Sequence, residues 1–118
     1  NAADFGDRTQ GSYNGGACSD TTRGLFVGGG APGRTNVIDY ITIATTGNAT
    51  DFGDLESERE YIAATSNKDR GLFGGGQSNS GETNILQFVV IQTTGNTTDF
   101  GDLSVSTSQN AAFSGNAS

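Results

Sequence analysis

With 118 residues, 32% of them hydrophobic, and 19 glycines, the chain is too poor in apolar side chains to build a thick core around long helices. Its net charge of −7 and its scattered basic residues (Arg8, Arg23, Arg34, Arg59, Lys68, Arg70) argue against nucleic acid and against an anionic lipid surface. It contains no His, so the commonest general base and the commonest metal ligand are both missing.

In chain order, the elements are short strands separated by turns. Residues 4–7 read Asp-Phe-Gly-Asp, and a variable strand is expected over 12–19. Residues 23–30, RGLFVGGG, read as an apolar strand ended by glycines that permit a tight bend or close backbone approach. After a polar loop, residues 36–44 alternate: Val37, Asp39, Ile41 and Ile43 share one face, and Ile38, Tyr40 and Thr42 share the other. That mixed pattern suits a strand held between two sheets. Thr-Thr-Gly-Asn at 45–48 is a turn signal, and residues 50–55 follow as a short strand anchored by Phe52 and Leu55.

The same order then repeats. Asp-Phe-Gly-Asp recurs at 51–54 and 99–102, and Arg-Gly-Leu-Phe occurs at 23–26 and again at 70–73. Residues 45–55 and 93–103 differ only at Ala49 and Thr97. The second variable strand lies at 59–66 and a third is expected at 106–113. Repeats therefore run over about 8–55 and 56–103, with partial repeats at 1–7 and 104–118. Four short strands per repeat form a sheet with two faces that it cannot bury alone, and radial stacking of such sheets gives a β-propeller. A β-solenoid is the structural alternative.

The order of these features resembles the kelch repeat. Gly28 to Gly30 and Gly74 to Gly76 stand where a kelch blade ends its second strand in a glycine pair, here Gly28 with Gly29 and Gly74 with Gly75. Tyr40 matches the kelch Tyr of the third strand, with Phe88 as its substitute. Phe5, Phe52 and Phe100 replace the kelch Trp, which marks a divergent, kelch-like form. The wording of residues 45–55 followed by RGLFGGG also resembles repeats in virion structural proteins of marine bacteriophages, notably those infecting cyanobacteria. Together these resemblances imply an all-β fold of kelch-like propeller blades, two complete and two partial.

Two blades do not close a ring that needs about four to eight. Further blades from sister chains or a longer polypeptide are therefore the expected partners, covering apolar residues such as Ile41, Ile43 and Val89. The chain opens on Asn1 without a basic, apolar leader, which reads as processing or as a piece of something longer. The apolar run 88–91 is far too short to span a bilayer.

Asp-Phe-Gly alone evokes the magnesium motif of protein kinases, but neither a catalytic loop nor a strand Lys accompanies it. The glycine triplets lack the Gly-Lys-Ser/Thr of a phosphate loop. Asp51 with Asp54, and Asp99 with Asp102, offer either calcium ligands or turn caps that keep a sheet edge soluble. Asn48, Asn96 and Asn116 open glycosylation sequons that also read as ordinary turn residues. Arg23 and Arg70 are expected to pair with an Asp of the repeat or to bind a ligand. Cys18 reads as a small strand residue, with an intermolecular disulfide as the alternative.

No catalytic site, cofactor or metal is expected. The leading functional reading is a non-enzymatic structural and adhesive module on a virion or other extracellular surface. Loops 31–34, 56–60 and 77–82 would present Arg34, Glu58, Arg59, Asn79 and Glu82 to a host receptor or glycan. The alternative is an intracellular kelch-type interaction adaptor. The burial between sheets is expected from Phe52, Phe100, Leu25, Leu72, Phe26 and Phe73.

Overall fold

The structure, a computed structural model, describes residues 1–30 and 32–108. These residues form nine strands and no helix. The first sheet takes its strands in chain order: β1 (Gly16–Ser19), β2 (Arg23–Val27), β3 (Thr35–Thr42) and β4 (Thr50–Arg59). In the second sheet β5 (Ala63–Ser66), β6 (Arg70–Gly74), β8 (Gly81–Val90) and β9 (Thr98–Thr107) repeat that order, and β7 (Gln77–Ser78) pairs with the first residues of β8. All pairings are antiparallel, and register repeats with sequence: Leu25 faces Tyr40 as Leu72 faces Phe88.

Local chemistry explains the hairpins. The Asp20 side chain accepts the amides of Thr22 and Arg23 at 2.8 and 2.7 Å, and Asn67 accepts those of Asp69 and Arg70 at 2.8 and 2.7 Å. Each closes its turn as an Asx motif. Asn14 and Tyr61, which occupy the same place in successive repeats, both take positive φ, 59° and 57°.

The core lies between the two sheets. Leu25, Val27, Ile38, Phe52 and Leu55 of the first repeat pack with Ile62, Phe73, Val89 and Ile91 of the second. Close approach depends on Gly71, where a Cβ would come within 2.8 Å of the Cys18 sulfur. Gly28 is similar, at φ +60°, where a Cβ would lie 2.6 Å from Ile62 Cδ1 and 2.8 Å from the Arg59 carbonyl oxygen.

Four expectations need correction. Phe100 is 55% exposed because no further sheet covers β9 among the described residues, and Phe26 and Leu72 are only half-buried. Val89 is buried, covered by the first sheet, whereas Ile43 is indeed exposed. The expected strands 12–19 and 59–66 begin later, at Gly16 and Ala63; Tyr13 makes only an isolated bridge to Gly30, and β4 runs on through Arg59. The second sheet counts five strands, since the loop after the glycine triplet folds into the β7–β8 hairpin. Of the strand expected at 106–113, Thr107 ends β9, and residues 109–113 lie outside the described residues, as do Ala31 of the first candidate loop and Asn116.

Candidate functional site

At one end of the two sheets the structure brings three of the candidate loop residues together. Arg34, just before β3, donates through Nη1 to the Asn79 side chain at 3.0 Å. Asn79, at the tip of the β7–β8 hairpin, donates in turn to Glu58 Oε2 at 3.3 Å. Arg34 also lies 3.0 Å from Glu60 Oε1. The chain of contacts spans both repeats, with Asn79 and Glu58 exposed and Arg34 and Glu60 half-buried. Arg34 Nε is buried with no hydrogen-bond partner among the described residues.

The other two candidates lie elsewhere. Arg59 is buried, donating to the Gly75 carbonyl and the Ser57 hydroxyl, each at 3.3 Å. Burial lowers its pKa and the nearby Glu56 opposes the fall. Glu82 instead accepts a hydrogen bond from the Ser108 hydroxyl at 2.8 Å. Among the described residues no three His, Cys, Asp or Glu side chains gather into a metal site.

Arg23 and Arg70 find aromatic rings instead of the expected aspartates. The Arg23 guanidinium sits 4.4 Å from the Tyr40 ring centroid and the Arg70 guanidinium 4.5 Å from that of Phe88, both within cation–π range. Arg23 also donates to the Ile91 carbonyl at 3.0 Å and so ties the first repeat to the second. Cys18 packs against the core, and burial, reinforced by Asp20, pushes its thiol up to about 12. Such a thiol stays neutral and unreactive near neutral pH.

The Asp-Phe-Gly-Asp segments have a structural task. The Gly95 and Thr97 amides of the second repeat donate to the Phe52 and Asp54 carbonyls of the first at 2.7 and 2.9 Å, while Asn96 Oδ1 accepts the Asp54 amide at 3.0 Å. The same contacts join Gly47, Ala49 and Asn48 to Phe5 and Asp7. Glycine is required in both segments: at φ +145° and +151°, a Cβ on Gly6 or Gly53 would stand 2.3 or 2.2 Å from the carbonyl oxygen of the facing turn.

Behind each of these seams a buried side chain of the third strand receives the neighbouring backbone. Asp39, 0% exposed, accepts the Thr9 amide at 2.9 Å and Arg8 Nη2 at 2.8 Å. Gln87 accepts the Glu56 amide at 3.1 Å and donates to the Glu56 carboxylate at 3.2 Å. Sequence reasoning did not single out Arg8 or Asp39, and it reached Glu60 only as the last residue of the candidate loop 56–60. A carboxylate inside the apolar run Val37 to Ile41 was the available signal, because such a group must be paired when buried.

Comparison with known proteins finds no matching family model and no matching curated protein. The chain is all-β, with two antiparallel sheets, and none of its described residues forms a helix long and apolar enough to cross a membrane.

Proposed function

We propose that this chain is a non-enzymatic structural and adhesive repeat module whose two sheets are kelch-like propeller blades. The observation that carries the reading is the seam between repeats. One repeat's turn is hydrogen-bonded to the previous repeat's Asp-Phe-Gly-Asp strand, and the seam occurs twice with the same partners. Such contacts propagate a stack of identical units, as repeat proteins require. The four-strand meander, the glycine run after the second strand and the aromatic in the third agree with the kelch-like resemblance. In this reading further blades, from sister chains or a longer polypeptide, cover the outer faces, and the module belongs to a virion or other extracellular assembly.

The Arg34–Asn79–Glu58 cluster is the candidate contact for a receptor or glycan. It alternates donors and acceptors at the loop end of a rigid scaffold, which suits a hydroxyl-rich or polar ligand. Glycan-array and host-surface binding test it. The reading expects binding that Asn79→Ala or Arg34→Ala reduces at least tenfold while the melting temperature holds. Binding untouched by both substitutions would contradict the assignment of the loops.

A further inference from the structure

The outer face of the second sheet carries a groove lined by Thr65, Arg70, Leu72, Phe88 and Phe100. Its counterparts in the first sheet, Cys18, Arg23, Leu25, Tyr40 and Phe52, are covered by the second repeat, which seats Gly71 on Cys18 and takes the Arg23 hydrogen bond at Ile91. The seam strand beside this groove is also preset. Gly101 keeps φ +150°, matching Gly53 at +151°, although no described residue stands within 4 Å of the position a Cβ would take. We infer that this groove and the 99–104 edge form a docking site for another repeat, and that the site selects a repeat with an uncharged amide, not a carboxylate, at the buried third-strand position. The inference rests on the stacked-repeat reading above and adds its selectivity.

The selectivity comes from comparing the two seams within the chain. Where the third strand buries Asp39, the preceding segment supplies Arg8, which reaches it through Nε and Nη2 at 3.1 and 2.8 Å. Where the third strand buries Gln87, the residue equivalent to Arg8 is Leu55, and Gln87 is satisfied by Glu56 and by the Thr97 hydroxyl. The outer edge carries Leu103 at this position, followed by Ser104. Ser104 offers an amide and a hydroxyl but no positive charge. A docked repeat of the Asp39 kind would bury a carboxylate without its cation, which is strongly unfavourable, whereas one of the Gln87 kind would bury only a neutral amide. A second copy of this chain offers its first repeat, with Asp39, and would also have to displace its own residues 4–9 from that face. The occupant is therefore a repeat of the second kind and not a sister copy docking through its first repeat.

The test extends the full chain by one repeat and keeps the native edge, so that residues 1–104 are followed directly by residues 57–118. Hydrogen exchange then reads the amides of residues 100–103. With Gln at the appended copy of position 87, exchange there should slow by on the order of 100-fold. Asp at that copy should abolish most of the slowing, and adding Leu103→Arg should restore it. Equal slowing with Gln and with Asp would overturn the selectivity while leaving stacking intact. No slowing in any version would instead sink the stacked-repeat reading itself. A second measurement needs no extension: Arg8→Leu alone should lower the melting temperature by about 5 °C or more, and Arg8→Leu with Asp39→Gln should recover most of it. A double variant no more stable than Arg8→Leu alone would overturn the proposal. So would concentration-dependent oligomers of the unmodified chain that Phe100→Glu abolishes.

Discussion

Residues 45–55 and 93–103 are almost the same peptide, yet they occupy different environments. In the inner copy Phe52 is 2% exposed; in the outer copy Phe100 is 55% exposed. Each ring meets its partner aromatic edge-on at nearly the same distance, 5.9 Å for Tyr40–Phe52 and 6.1 Å for Phe88–Phe100. The strand and its aromatic pair are thus properties of the repeat itself. Burial is a property of the neighbour. What the peptide encodes locally is a surface ready to be covered, and the second repeat covers one of the two.

The comparison is broken most easily at the rings. Phe52→Ala should cost about 3–5 kcal/mol in chemical unfolding, the usual price of emptying a packed aromatic site, whereas Phe100→Ala should cost less than about 1 kcal/mol. Equal losses would mean that both faces are covered. At the glycines, alanine is strained by positive φ at 53 and at 101, but only at 53 does it also strike the Gly95 carbonyl. Gly53→Ala should therefore exceed Gly101→Ala by about 1–3 kcal/mol. Thermal melts of the pair check this.

Cys18 sharpens the contrast by titration. Its thiol is raised from 9.0 to about 12 in the folded chain. The protonated form is the one the fold accommodates, so its contribution is complete below pH 9 and falls as pH rises from 9 toward 12. The loss should be about 1.4 kcal/mol per pH unit, and Cys18→Ala should flatten that slope. A cysteine placed by Thr65→Cys, at the equivalent outer position, should alkylate far faster at pH 8 than Cys18 does. The smallest difference concerns the arginines. Arg23→Ala removes a stacked cation and a hydrogen bond to the second repeat, whereas Arg70→Ala removes the stacking alone, so the first should cost about 1 kcal/mol more in urea unfolding.

Strand order and the glycine-ended second strand were legible because they are local and occur twice. The Thr-Thr-Gly-Asn turn and the strand after it were legible for the same reason, and 45–55 duplicates 93–103 nearly letter for letter. Exposure of Phe100 was not legible, since an identical motif carries no record of what lies beside it. Nor was the Arg8–Asp39 pair, which joins residues 31 apart across a seam whose geometry only the folded chain displays. Of the loop candidates, Arg34, Glu58 and Asn79 converge because the β2–β3 loop, the last residues of β4 and the β7–β8 turn meet at the same end. Arg59 reads as a loop residue because it falls in the variable segment 56–60, but β4 continues through it and it is buried.

The central claim is that one repeat's turn covers the previous repeat's Asp-Phe-Gly-Asp strand. Native-state hydrogen exchange of the 118-residue chain tests it most directly, by comparing the Asp54 amide, held by Asn96 Oδ1 at 3.0 Å, with the Asp102 amide, which no turn covers among the described residues. The account predicts that Asp54 exchanges more slowly by on the order of 100-fold and that Asn96→Ala shrinks the gap. Equal protection of Asp54 and Asp102 would contradict it.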